Sequence, residues 1–333
     1  SRRVIHHDEG YVWRGYWHLF FYLSGHRNVV RRMYTYPIFC MRKLSKKFGG
    51  YMKKAAVFND LSGFGKCSLT AAIPVLSAQG VQCCPMASAV LTNQTGYEYH
   101  KCTDLTAMIK DYIDNWQKNN AHFDGIYSGF MTGSKQIELF MNFLDVFYEE
   151  NTMLLVDPVM GDDGRTYGIY SAALLDGMKA LSRKADVITP NLTEACLLAD
   201  YDIEKVYSDT RKDVLLPLAT EISEKLRSLS GKNQDVIITG IKCRDDKAPF
   251  IYNLVTTANG TTTHRSHFFD VSFSGTGDLF ASVICGSRLN GFSTEEAAER
   301  AGKFLYDSIA DTMNDDTAPN DGVNFEKFLR ELM

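Results

Sequence analysis

The chain has 333 residues, 45% hydrophobic and 23% charged, with a formal charge of −4. That composition is ordinary for a soluble globular protein and excludes a low-complexity or highly charged disordered chain. Ten Lys/Arg against Asp8 and Glu9 leave residues 1–51 at +8, so the remainder carries −12; an acidic body without a basic stripe argues against nucleic acid as a partner.

Residues 1–51 are basic and aromatic, with Trp13, Trp17, Phe20 and Phe21, and hold no sustained helix or strand period. The apolar run Leu19–Leu23 is too short to span a bilayer, and early Asp8 and Glu9 fit a signal peptide poorly. At Met52 the text changes to "MKKAAVFNDLSG", which reads as a start followed by a first strand. Gly49-Gly50-Tyr51 can be encoded GGA-GGN-TAY, which contains a bacterial ribosome-binding sequence just ahead of Met52. The expectation is a non-native translated leader or unstructured extension over 1–51 and one folded domain over 52–333.

From Met52 the pattern alternates strand and helix. Predicted strands are Ala55–Phe58, Val81–Val90, Gly125–Ser128, Met153–Val156, Val187–Ile188 and Val236–Thr239. Predicted helices are Ser68–Gln79 (closed by Gly80), Asp104–Gln117, Lys135–Tyr148, Ala172–Leu181, 193–199 and 209–229, the last kinked or split by Pro217. Phe250–Thr256 and Thr261–His267 read as a hairpin around Asn259-Gly260. Helices over Asp278–Leu289, Thr294–Met313 and Phe325–Leu332 complete the chain. The implied fold is a single central, mostly parallel sheet flanked by helices on both faces.

Eight cysteines show no CxxC spacing, so the reading is incidental thiols in a reducing, cytoplasmic setting. Chemistry concentrates in three segments, each after a predicted strand. In Ser274-Gly275-Thr276-Gly277-Asp278 a glycine turn runs into a helix, which lets backbone amides converge on an anion while Asp278 accepts a proton. The bland alternative is Asp278 as a helix-start acid. In Asp157-Pro158-Val159-Met160-Gly161-Asp162, Asp157 falls at a strand's C-terminal end and suits Mg²⁺; the alternative is a turn acid before proline. In Thr189-Pro190-Asn191-Leu192-Thr193-Glu194, the spacing of Asn191 and Glu194 is that of a capping box, while Glu194 also suits a nucleotide's Mg²⁺. Gly65-Lys66 is not a Walker A loop, because Asp60 and Cys67 stand where Gly and Ser/Thr belong. Phe280 stands where a dinucleotide fingerprint needs its third glycine.

Together with "LTNQTGY" at 91–97 and "YSGF" at 127–130, "SGTGDLF", "DPVMGD" and "TPNLTE" resemble the ribokinase superfamily and its vitamin B6 (pyridoxal) kinase branch, over about Ala55 to Leu305. The resemblance implies a ribokinase-like fold and ATP-dependent phosphorylation of the 5′-hydroxyl of pyridoxal, pyridoxine or pyridoxamine. It places an anion hole on Gly275, Thr276 and Gly277, the base on Asp278, and the Mg²⁺ and phosphate region on Asp157, Asn191 and Glu194. Asp157 and Glu194 are then the metal-side acids, Thr239 and the 269–273 stretch with Phe273 the nucleotide contacts, and Asp60, Thr95 and Phe130 the ring contacts. It further implies ATP and Mg²⁺ as requirements, a homodimer, and no membrane partner. The chain departs from many B6 kinases at Asn59-Asp60, where they carry Gln-Ser, and at Phe130, where they carry tyrosine. Hydroxymethylpyrimidine kinases of the same fold usually carry cysteine at the base position, so Asp278 favours the B6 branch. The rivals are hydroxymethylpyrimidine or other small-molecule phosphorylation, and a non-catalytic B6- or nucleotide-binding regulator.

Overall fold

The computed structural model describes residues 51–244 and 250–333. The leader expected over 1–51 therefore lies outside the described residues, Tyr51 excepted.

From Lys54 the chain runs through β1 (Lys54–Ser62), α1 (Ser68–Ala78), β2 (Gln82–Leu91), β3 (Cys102–Asp104), α2 (Thr106–Lys118), β4 (Gly125–Ser128) and α3 (Ser134–Phe147). Then come β5 (Met153–Val156), a small hairpin of β6 (Gly161–Asp162) and β7 (Arg165–Thr166), α4 (Ala172–Lys184), β8 (Val187–Ile188), α5 (Leu192–Ala199), α6 (Ile203–Ser208) and α7 (Lys212–Ser230). The antiparallel meander β9 (Asp235–Cys243), β10 (Phe250–Thr257), β11 (Gly260–His267) precedes α8 (Thr276–Leu289) and α9 (Thr294–Thr312).

Nine strands form one sheet in the order β11-β10-β9-β8-β5-β4-β1-β2-β3. The six from β2 to β9 across its middle pair in parallel, and β3, β10 and β11 add antiparallel edges. A parallel sheet is buried on both faces, so its strands read as continuous apolar runs rather than alternating ones. Successive residues then feed opposite layers. Ala56, Phe58, Ile126, Leu154, Val156 and Ile238 pack into the core beneath α2–α5 and α7. Ala55, Val57, Tyr127, Leu155 and Ile237 pack into the core beneath α1, α8 and α9. Truncating such a fully buried Leu or Ile to Ala typically costs ~2–5 kcal/mol.

The chain leaves β1 for β2 on one side and later returns to β4 on the other. Strand order therefore reverses at β1, and a crevice opens at the C-terminal ends of the neighbouring strands there. β1 also slips register against β2 between Asn59 and Leu61, a local irregularity that re-aims the side chains at the strand's end.

Several expected elements are corrected. Pro217 does not split the helix expected over 209–229; it lies within continuous α7, and the 203–208 turn before it is a separate helix. Pro217 is six residues into the helix, and the packing of Leu215, Ala219 and Ile222 on the sheet outweighs one missing amide. Phe325–Leu332 winds as 3₁₀ turns rather than an α-helix. β3 and the β6–β7 hairpin were not expected, being too short for any periodic signal. Gly80 and Gly260, at φ +73 and +119, do close α1 and the β10–β11 hairpin as predicted.

Candidate active site

All the residues singled out in the sequence line one cleft of about 820 Å³ at the C-terminal edge of the sheet. The end of β1 contributes Asp60, the loop after β2 Thr95, and the loop after β4 Phe130. The end of β5 contributes Asp157, the start of α5 Asn191 and Glu194, and β9 Thr239. Phe273, Gly275, Thr276, Gly277 and Asp278 come from the turn into α8, with the side chain of Phe273 also buried in the core.

Geometry dictates glycine at 275. Its φ is +78, and a Cβ there would lie 1.9 Å from the Lys66 carbonyl oxygen. No such constraint holds at Gly277, where a Cβ would meet nothing within 4 Å; that face is open to the cleft. The first helical bond of α8 runs from Leu279 N–H to Gly275 O at 3.0 Å. The amides of Thr276, Gly277 and Asp278 precede it, giving a helix start that favours an anion.

Asp278 does not cap its own helix. Its carboxylate accepts from Asn59 Nδ2 at 2.9 Å, and the nearby backbone amide of Ser68 favours its charged form. Part of the side chain stays open to the cleft. Burial, with a smaller contribution from the Asp60 charge, pushes Asp278 up to about 6, against the pull of Asn59 and the Ser68 amide. It is thus mostly ionised at neutral pH and still a better base than a solvated carboxylate.

Asp157 and Glu194 form a second acidic group. Thr189 Oγ1 donates to Asp157 at 3.0 Å, while burial and the Asp278 charge push Asp157 up to about 7. Glu194 accepts from the amides of Met160 at 3.0 Å and Asn191 at 2.9 Å, and Asn191 Oδ1 accepts from Glu194 N–H at 3.0 Å. The capping box is therefore real, and Glu194 still faces the cleft: the two readings of this residue coexist. Burial, then Asp157, hold Glu194 well above the usual carboxylate range.

Among the described lining residues Lys242 is the sole Lys or Arg, and Asp163 pairs with it at 2.6 Å. A cleft with this charge repels a polyphosphate unless a cation enters with it. No group of three or more His, Cys, Asp or Glu among the described residues forms a closed metal cage. One or two carboxylates facing a cleft suit Mg²⁺, which keeps waters and shares phosphate oxygens. Asp157 and Glu194 fit such an ion, and each is destabilised as an anion without one.

Asp60 is buried and takes two hydroxyls, Ser62 Oγ at 2.8 Å and Ser68 Oγ at 2.5 Å. Both bonds come from serine side chains, neither from a backbone amide of the 61–65 turn. Ser68 holds φ at +51, a left-handed conformation uncommon outside glycine, with its hydroxyl on Asp60 and its amide near Asp278. Sequence reasoning missed Asn59, Ser68, Thr189 and Asp162 as parts of the site. For Asn59 the signal was available: the predicted strand Ala55–Phe58 stopped one residue short of it, at the edge where α/β sheets place their sites.

A family model described as phosphomethylpyrimidine kinase matches residues 65–321. A Bacteroides thetaiotaomicron protein, provisionally named a phosphomethylpyrimidine kinase and crystallised with pyridoxal, is 35% identical; the match covers 85% of this chain and 96% of that one, with TM-score 0.76. Pyridoxal kinase from Lactobacillus plantarum is 25% identical over 85% of this chain and 97% of its own, with TM-score 0.74. A Saccharomyces cerevisiae protein provisionally named a pyridoxal kinase is 29% identical over 219 residues, 61% of this chain and 64% of the yeast protein.

Proposed function

The chain belongs to the phosphomethylpyrimidine kinase family, and we propose that it transfers the γ-phosphoryl group of ATP to the 5′-hydroxyl of pyridoxal, pyridoxine or pyridoxamine. The observation that carries this reading is the pairing of Asp278 with the Gly275–Gly277 helix start in one cleft. The pyridoxal complex of the Bacteroides relative directs the choice of substrate.

In this mechanism the acceptor hydroxyl lies against Asp278, which takes its proton as the oxygen attacks the γ-phosphorus and the bond to the β-phosphate oxygen breaks, releasing ADP. The amides of Thr276, Gly277 and Asp278 face the charge on the transferred group, where electrostatic stabilisation does most of the work. Mg²⁺, held on the Asp157 and Glu194 side, supplies neutralisation of the phosphate oxygens when bound. Asn191, Thr239 and Phe273 line the nucleotide side, and Asp60, Thr95 and Phe130 the ring side. Asp60 is also raised above the usual carboxylate range by burial, and a protonatable ring nitrogen nearby would stabilise its charged form. The cytoplasmic setting and the homodimer expected from the sequence belong to the same proposal. Among the described residues no helix is long and apolar enough to cross a membrane.

Hydroxymethylpyrimidine phosphorylation is the second reading, favoured by the description of the matching family model. Asp278→Asn tests catalysis under either reading, since it keeps the shape and removes the proton acceptor. Turnover should fall ~10²–10⁴-fold with ATP binding retained. Turnover within a few-fold of wild type contradicts the role given to Asp278.

A further inference from the structure

We propose that Asn59 is a positioning residue for the Asp278 carboxylate, fixing one of its oxygens so that the other faces the acceptor hydroxyl. The inference rests on the reading of Asp278 as the base. Asn59 is fully buried at the end of β1, a place where an unpaired amide is costly. Its Oδ1 accepts two backbone amides, Asp60 N–H at 3.0 Å and Phe130 N–H at 2.9 Å. An amide oxygen with both lone pairs engaged leaves one orientation for the group, so Nδ2 must point the other way. It points to Asp278 Oδ1 at 2.9 Å.

The neighbouring strand is built around this placement. A Cβ at Gly129 would lie 2.4 Å from Asn59 Nδ2, so only glycine lets the amide lie where it does. Gly129 N–H in turn bonds Phe58 O at 2.8 Å, which holds the loop after β4 against β1. One side chain thus ties the base on α8 to the backbone of two residues on the ring side, Asp60 and Phe130. A neutral donor satisfies Asp278 without neutralising it, as a lysine or arginine there would. The Ser68 amide nearby also favours the carboxylate's charged form. This arrangement also explains why the chain's departure at Asn59-Asp60 is compatible with a working base.

The titratable groups around Asp278 are Asp60 on β1, Cys67 before α1, Tyr127 on β4, Asp157 after β5 and Tyr167 after β7. All stay in place in the two variants that test the idea. Asn59→Asp sets a second carboxylate against Asp278, and two such groups share a proton. Gly129→Ala keeps Asn59 and displaces its amide, the far end of a side chain that can move. Both should lower kcat at least ~10-fold while the KM for ATP changes less than ~2-fold. Both should move the acid limb of the pH–rate profile upward, Asn59→Asp by more than about one pH unit. An acid limb and kcat unchanged in Gly129→Ala, with only the melting temperature lowered, make Asn59 a packing residue and overturn the inference. If Asn59→Asp does not fold, Gly129→Ala decides alone. Asp278→Asn, measured alongside, separates the two levels. If it is active, the base assignment falls and this inference with it. If it is inactive while Gly129→Ala is normal, only the positioning role falls.

Discussion

Asp157 shows what a single residue in this cleft reveals about the ligand. A buried carboxylate held at about 7 keeps its proton in the folded state over a range where the unfolded chain has released it. That stabilising contribution is fully present below about pH 4 and is lost as pH rises through 7. Asp157→Asn removes the ionisation cost while preserving shape and the contact with Thr189. The ligand-free variant should melt roughly 5 °C above wild type at pH 8, with the difference vanishing near pH 4. Thermal melts across that range check it, and a pH-independent difference contradicts it. The sequence made Asp157, Asn191 and Glu194 legible because each follows an apolar strand and sits in a chemically pointed segment. It did not reveal that Glu194 uses both oxygens on backbone amides, nor that Asp60 binds two serine hydroxyls. Those partners are 34 and 8 residues away at the most and meet only in the folded cleft.

At the scale of elements, the turn into α8 separates two jobs that look alike in sequence. Gly275 is demanded by the protein itself, through its φ of +78 and the Lys66 carbonyl 1.9 Å from any Cβ. Gly277 is demanded by nothing in the protein. Gly275→Ala should therefore cost at least ~2–3 kcal/mol of stability, visible as a lower denaturation midpoint. Gly277→Ala should fold like wild type, and gain slightly from helix propensity, while kcat falls at least ~10-fold because a methyl group intrudes on the phosphoryl site. Equal stability losses at both positions, with equal activity, would set aside the anion-hole role. The same scale explains which elements were legible. β4, β5 and β8 run from end to end as predicted, because burial on both faces makes them unbroken apolar runs. β1 extends through Asn59, Asp60 and Ser62, polar residues that hydropathy alone assigns to a loop. α7 absorbs Pro217 because tertiary packing overrides local propensity.

For the whole molecule, charge and topology act together. Strand order reverses at β1, which opens the crevice, and the acidic lining makes a cation the natural companion of any phosphate that enters. The fold class was readable because strand-helix alternation and three site segments in order point to one architecture. We propose that residues 1–51 play no part in the molecule's chemistry, since all the described residues that line the cleft, from Asp60 to Ile309, belong to the unit Met52–Met333. A chain beginning at Met52 should be soluble and as active as the 333-residue chain, and loss of folding or turnover on that truncation would give the segment a structural role. The central claim is the identity of the acceptor. The direct measurement is ATP consumption with pyridoxal, pyridoxine, pyridoxamine, hydroxymethylpyrimidine and a sugar panel, each product identified by phosphorus NMR and mass. The account predicts a 5′-phosphate on at least one B6 vitamer with kcat/KM at least ~10-fold above hydroxymethylpyrimidine, a discrimination worth ~1.4 kcal/mol. Phosphate appearing on hydroxymethylpyrimidine or a sugar alone, or on no acceptor at all, contradicts it.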